Sequence, residues 1–275
     1  MRRINFRRPP KVWRLPLRSR IDNCLSVSTV KGPIRVGVRI FMTASQRSKS
    51  VEVFKSWMIY DKIIANNYMF HRQMHAELRA LVDAEYQRPF DLLDLGCGDA
   101  SVIAKTLAES SIRSYTGIDM SEAALEIAAT NLSAIGCDSH LQTGDLVEAL
   151  AADDRQYDIV VASYAIHHFA TIEKQRVLRL IRERLTDSGC FVFIDLMFQP
   201  NETRDNYLLR WWDYLANECI AHDEEEKTII RDHMRDCDFP ESLDTYQSIA
   251  NQAGFATVQV RYQDPRSLHA FICCR

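Results

Sequence analysis

The stretch of this chain best suited to chemistry reads LLDLGCGDA, from Leu92 to Ala100: an apolar run, an acid, then Gly96-Cys97-Gly98 and the start of a helical pattern. Glycines at such a point let the backbone turn sharply and approach a ligand closely, and the helix start behind them supplies unpaired N–H groups. A nucleotide-like ligand fits. A dinucleotide loop would place a third glycine at position 101, where Ser101 stands. Asp94, two residues before the first glycine, would repel a pyrophosphate but can accept hydrogen bonds from an ammonium group. The ligand expected therefore carries a cationic amino-acid end.

Histidines supply the other chemistry. His71 and His75 stand at i and i+4, a spacing compatible with a helical metal pair. Arg72 occupies the place where a zinc protease carries Glu, and no third ligand is visible, so a helix-surface or substrate-pocket role is preferred and no metal is assigned. His167 and His168 are adjacent, and neighbours in extended geometry point to opposite faces, so at most one reaches a substrate. The eight cysteines include no C-x-x-C pair, which leaves neither a zinc knuckle nor a redox motif. Scattered thiols in a long chain without an apolar leader read as reduced, which implies a cytoplasmic setting.

The elements that must position these groups follow from periodicity. Apolar residues from Ser50 to Glu85 recur at three and four, predicting one or two amphipathic helices, with NNYMFHR (Asn66 to Arg72) as a helix laid over the ligand. There Tyr68, His71 and Arg72 are candidate pocket residues. After Pro89, short apolar strands alternate with helical stretches, the signature of a parallel sheet built from βαβ units. Strands are predicted near 91–95, 114–118, 139–143, 157–163 and 190–197, and helices near 100–109, 121–134, 146–151 and 171–185. Residues 199–241 break the alternation with helical spacing, Trp211, Trp212 and Tyr214, and an acidic run from Asp223 to Glu226 that reads as a solvated helix start. This insertion is placed as a lid, its aromatics forming either a substrate wall or its own small core. Residues 242–275 give a closing helix capped by Gly254 and an antiparallel hairpin.

At 275 residues and 47% hydrophobic content, the chain suits one large domain with attachments. Residues 1–41 hold eleven Lys/Arg and one acid, Asp22, while the rest carries 23 basic and 36 acidic residues. An acidic body disfavours a broad grip on nucleic-acid backbone. The N-terminal arm, taken as residues 1–45, has four prolines and no sustained period, and is expected to be disordered. It is a transit peptide, which would mean an organelle, a basic arm for nucleic acid or lipid, or translated sequence upstream of a true start at Met42. No apolar stretch approaches the roughly 20 residues of a membrane span.

With those motifs in place, the strand-acid-Gly-x-Gly loop resembles the first motif of class I S-adenosylmethionine-dependent methyltransferases. Other stations fall in order: TGIDMS with Asp119, TGDLVE with Asp145, YDIVVASYAIHHF, and LTDSGCFVFIDL as the fifth strand after its lead-in turn. The resemblance covers Asp91 to Leu196. It implies an α/β, doubly wound, Rossmann-like seven-stranded sheet of order 3-2-1-4-5-7-6 with the last strand antiparallel, residues 91–198 forming the cofactor core of a 46–275 domain. It implies S-adenosyl-L-methionine as cofactor, with Asp94, Gly96, Cys97 and Gly98 at its loop. Asp119 then holds the ribose, Met120 packs on adenine, Asp145 and Leu146 lie at the adenine edge, and Ser163 and Tyr164 lie near the methionine end.

Methyl transfer from a sulfonium is an in-line displacement, so the protein mainly aligns nucleophile, methyl carbon and sulfur, and the chemistry demands no metal. A protonated nucleophile needs a base, for which His167 and His168 lead, with Tyr68 and His71 as further catalytic candidates. ASYAIHHF lacks the Asn/Asp-Pro-Pro-aromatic string of many enzymes that methylate nucleic-acid or protein amines. The expected acceptor is a small molecule methylated on oxygen or nitrogen, with no DNA and no membrane partner. A tRNA-modifying enzyme, a non-catalytic S-adenosylmethionine binder and an NAD-linked oxidoreductase stand as alternatives.

Overall fold

The computed structural model describes residues 58–275. The basic arm and the first part of the predicted N-terminal helical segment lie outside the described residues. Helix α1 covers residues 58–65 and α2 runs His71–Glu85. Then follow β1 (Phe90–Leu95), α3 (Ser101–Leu107), β2 (Ile112–Asp119), α4 (Glu122–Leu132), β3 (Asp138–Thr143), α5 (Leu146–Ala152) and β4 (Tyr157–Ser163). A 3₁₀ turn at Ile166–His168 leads through α6 (Thr171–Glu183) to β5 (Leu185–Phe198). The insertion forms α7 (Arg204–Asn217) and α8 (Glu224–Cys237), and β6 (Glu241–Ser242), α9 (Leu243–Ala253), β7 (Val258–Gln263) and β8 (His269–Cys274) complete the chain.

The sheet runs β3-β2-β1-β4-β5-β8-β7, with β8 antiparallel to both of its neighbours. That is the expected order, with one addition: the two-residue β6 pairs in parallel with Met197 and Phe198, making eight strands rather than seven. The central strands β4 and β5 are buried on both faces because helices cover each side, which is why their sequences read as continuous apolar runs. β3, at the edge, is polar and mostly exposed. The lead-in turn before the fifth strand lies inside β5 as a register shift: Tyr157 pairs with Leu185, and the next pairing is Ile159 with Cys190. Two apolar clusters fill the faces, one around Leu78, Leu92, Ile159 and Trp211, the other around Leu93, Val160, Ile181 and Tyr246.

Two sequence expectations need correction. NNYMFHR is not a helix. Asn67 and Phe70 both take positive φ, near 58°, and this breaks the repeat into α1 and α2. Arg72 is exposed and its Nη2 donates to Ala65 O at 2.9 Å, so it closes the end of α1 rather than lining a pocket. The acidic run is also only partly solvated. Asp223 caps α8, but Glu226 is buried and accepts from Lys62 Nζ at 2.7 and 2.8 Å, tying the insertion to α1.

The β7–β8 connection turns on one buried carboxylate. Asp264 Oδ1 accepts from Arg266 N at 2.8 Å, and Oδ2 accepts from Leu268 N at 2.8 Å and His269 N at 2.5 Å. Burial alone would raise its pKa, but His269 and these donors outweigh burial and hold it below the usual carboxylate range. Replacing Asp264 with Ala should cost roughly 2–4 kcal/mol in urea unfolding at neutral pH by orphaning buried N–H groups. A depressed folded pKa stabilises above the unfolded value and fades as pH falls, so the gap between wild type and variant should shrink in acid.

Candidate functional site

The carboxyl ends of β1, β2 and β4 meet where the strand order reverses, the position at which open α/β sheets bind ligands. Gly96 N and Cys97 N donate to Ile118 O at 2.8 and 3.1 Å, fastening the glycine loop to β2. Gly96 has φ +74°, and a Cβ there would meet Ala165 Cβ at 2.9 Å, so the position admits only glycine. Asp119, at the tip of β2, accepts from Gly98 N at 2.9 Å on one oxygen and from Ser121 N at 2.8 Å on the other. Each carboxylate oxygen retains a lone pair for a ligand hydroxyl.

Asp94 is buried beneath this loop. Its Oδ2 accepts from Tyr115 Oη at 2.7 Å, while Oδ1 has no partner. Burial drives its pKa up to about 7 and the Asp119 charge adds to this, against the lowering effect of the Tyr115 hydrogen bond. Asp94, Gly96, Cys97, Gly98 and Ser163 share a narrow crevice of mixed lining with His71, whose Nδ1 is also buried without a partner. These orphaned atoms suit a ligand bearing ammonium and hydroxyl groups. Further along the same edge, Met120 is 71% exposed, a large apolar side chain open to stack on a flat ring. Gly144 N donates to Asp119 O at 2.9 Å and brings the start of α5 alongside. There Asp145 caps α5 through Oδ1, and Leu146 packs into the core beside it.

A second space of about 280 Å³, mostly apolar, opens between the core and the insertion, with Ile59, Met69, Leu196, Trp211 and Met234 among its walls. Tyr60 lines both spaces, and Ser163 lines the crevice while the next residue, Tyr164, lines the cavity, so the two adjoin at the end of β4. Tyr164 holds a left-handed φ of 55°, and its hydroxyl donates to Met69 O.

The polar wall of the cavity is His167, His168, His233 and Asp238. His167 is buried, and its Nδ1 donates to Asp195 Oδ1 at 2.5 Å, which leaves Nε2 3.6 Å from Asp238 Oδ1. Burial works to lower its pKa, but Asp195 and Asp238 prevail and raise it. His168 is part-exposed, and burial together with the neighbouring His167 and His233 lowers its pKa. The arrangement is held by the return of the insertion onto the core. Phe239 N donates to His167 O at 2.7 Å, and the fully buried Lys174 Nζ donates to Phe169 O at 2.6 Å and to Phe239 O. The Arg204 guanidinium gathers the last carbonyls of α8, those of Met234, Arg235 and Asp238.

Of the four sequence-chosen catalytic candidates, then, His167 and His168 line the cavity, and His71 lies in the crevice instead. Tyr68 lies at neither site: its hydroxyl accepts from Ala221 N at 2.9 Å and its carbonyl from Tyr214 Oη at 2.9 Å, so it fastens the α1–α2 turn to the insertion. His75 lines the same crevice as His71, and its Nδ1 bonds Thr106 Oγ1 at 3.0 Å. Trp211 joins the cavity wall, while Tyr214 serves the insertion's own packing. Sequence reasoning missed Tyr60, Asp195, His233 and Asp238. Asp195 alone carried a local signal, a carboxylate inside an apolar strand, which must be partnered when buried.

Residues 92–189 match the family described as "Methyltransferase domain". The chain is 22% identical over 203 residues to a carboxy-S-adenosyl-L-methionine synthase of Nitratiruptor sp., spanning 73% of this chain and 83% of that one. It is 23% identical over 151 residues to a demethylmenaquinone methyltransferase of Leptospira interrogans, covering 54% of this chain and 57% of that one. An S-adenosylmethionine-dependent methyltransferase from Clostridium acetobutylicum shares the fold with a TM-score of 0.53 at 12% identity, over 81% of this chain and 98% of that one. Replacing Asp119 with Ala should weaken S-adenosylmethionine binding by about 1–3 kcal/mol in calorimetry, and an unchanged affinity would remove Asp119 from the site. The glycine loop over its two carboxylates, the strand order and the matched family together make the segment from Leu92 to Gly189 a class I S-adenosylmethionine-dependent methyltransferase domain.

Proposed function

We propose that this protein transfers the methyl group of S-adenosylmethionine to an oxygen or nitrogen of a small, largely apolar acceptor seated in the cavity between core and insertion. The observation that carries this is the junction at the end of β4, where Ser163 faces the cofactor crevice, Tyr164 faces the cavity, and Tyr60 borders both. Bound cofactor supplies a methyl carbon on a sulfonium, an electrophile with its leaving group already activated. The chain's own part is to hold and to align. Asp94 and His71 offer the crevice an unpartnered acceptor and an unpartnered ring nitrogen for the amino-acid end, Asp119 offers two oxygens to the ribose, and Met120 offers a flat-ring contact. Apolar walls contact the body of the acceptor, while His167, His168 and Asp238 provide the polar side toward which its nucleophilic atom turns.

The size and character of the cavity favour a metabolite over RNA, since the space is small and mostly apolar rather than a basic groove. Its lining, among the described residues, includes no Lys or Arg. Those are the usual partners of a carboxylate, and the relative from Nitratiruptor makes a carboxylated S-adenosylmethionine, as its name states. Methyl transfer to a neutral acceptor is therefore the better-supported reaction.

Incubation with methyl-labelled cofactor and fractionated metabolite and RNA pools tests the reading: label should enter an apolar small-molecule fraction. Label in RNA would overturn the acceptor class, and label in neither pool, despite tight cofactor binding, would favour a non-catalytic binder. With an acceptor in hand, replacing His168 with Ala should lower kcat by roughly 100-fold while leaving cofactor affinity unchanged.

A further inference from the structure

Asp238 reaches the cavity at the end of α8, buried, with Oδ1 lacking any hydrogen-bond partner. Three imidazole nitrogens surround that oxygen: His167 Nε2 at 3.6 Å, His168 Nδ1 at 3.5 Å and His233 Nε2 at 3.5 Å. All three separations are too long and too equal for hydrogen bonds. They match a different spacing. Ligand atoms that each sit about 2.0–2.1 Å from one tetrahedral ion lie ~3.4 Å from one another. Ligand atoms of His167, His168 and Asp238 all fall within 4.8 Å of one another.

The surroundings of the cluster support the same conclusion. His167 Nδ1 is bound at 2.5 Å to Asp195, the carboxylate–histidine pairing that fixes a ring so that its other nitrogen can coordinate a metal. His168 Nδ1 has one competing contact, 3.3 Å to Cys237 O, at the long end of hydrogen bonding. The core supplies two donors through the 3₁₀ turn, and Asp238, the residue that follows α8, supplies the third, so an ion there would join the insertion to the core. Histidine nitrogens with one carboxylate suit zinc, iron, cobalt or nickel better than magnesium or calcium.

We propose that His167, His168 and Asp238 form a three-ligand site for a divalent transition-metal ion in the wall of the acceptor cavity, with His233 beside Asp238 at its edge. The ion leaves one coordination position facing the cavity, where it holds the oxygen or nitrogen of the acceptor. The site itself follows from geometry alone. Its role toward the acceptor rests on the methyl-transfer reading above.

The test uses the full chain, stripped with chelator and titrated with cobalt(II). One equivalent should bind, with visible absorption of the intensity typical of four- or five-coordinate cobalt and a rise in Tm that zinc reproduces. His168→Ala removes a part-exposed ligand nitrogen and Asp238→Asn removes the carboxylate charge at nearly unchanged shape, and each should weaken cobalt binding at least tenfold. His140→Ala, an exposed histidine on β3, should not. S-adenosylmethionine affinity, measured without metal, should be the same in all four proteins. Absence of cobalt absorption, or undiminished binding in both cavity variants, would overturn the site and leave His167 as an imidazolium bridging Asp195 and Asp238. Cobalt binding without methyl transfer to any acceptor would keep the site and defeat only its catalytic role.

Discussion

Two carboxylates at the ends of neighbouring parallel strands govern the rest of this structure. Asp94 and Asp119 stand where β1 and β2 finish, and the loop between β1 and α3 must bend over them. Burying an acid with an unpartnered oxygen is costly, and a fold keeps such a group only where something else compensates. Tyr115 and the N–H groups of Gly98 and Ser121 compensate in part. The unpartnered Oδ1 of Asp94, which lines the crevice, is the capacity left over. Gly96 is a consequence of this arrangement, since only a backbone without Cβ can pass Ala165 at the angle the loop requires.

The second site depends on a different constraint, the return of the insertion to the core. Residues 238–240 could leave α8 in many directions. Phe239 N on His167 O, Lys174 on the carbonyls of Phe169 and Phe239, and Arg204 on the end of α8 select one. Lys174 is buried without a close carboxylate, 3.9 Å from Glu241, and burial lowers its pKa. It is retained through backbone carbonyls, which makes it a structural pin. Because the cavity lies between insertion and core, its polar wall draws on both: His167 and His168 from one, His233 and Asp238 from the other.

Legibility from sequence divided along the same line. The alternation of strands and helices, the glycine loop after β1 and the capping of α9 by Gly254 are local or strictly periodic and were readable from the chain, whereas the sheet order came from the family resemblance. Tyr60 was hidden inside an ordinary amphipathic repeat, where an aromatic on the apolar face looks like core. The turn at Asn67 and Phe70 was hidden because neither glycine nor proline marks it. His233 and Asp238 had no local signal at all. Their roles come from contacts across more than sixty residues of sequence, such as Asp238 with His168, which no periodicity encodes. Tyr68 shows the reverse error: its position before the core suggested the pocket, while its hydroxyl and carbonyl bind the insertion.

The central claim is that the amino-acid end of the cofactor is read by the buried carboxyl of Asp94, raised to about 7 in the free protein. Calorimetry of S-adenosylhomocysteine binding at about pH 6.5, repeated in buffers of different ionisation enthalpy, measures this as proton release. An ammonium that meets Asp94 must ionise it, so the protein should release a substantial fraction of a proton on binding, and Asp94→Asn should release none. Binding with no proton released by the wild-type protein, or equal release by the variant, would contradict the account.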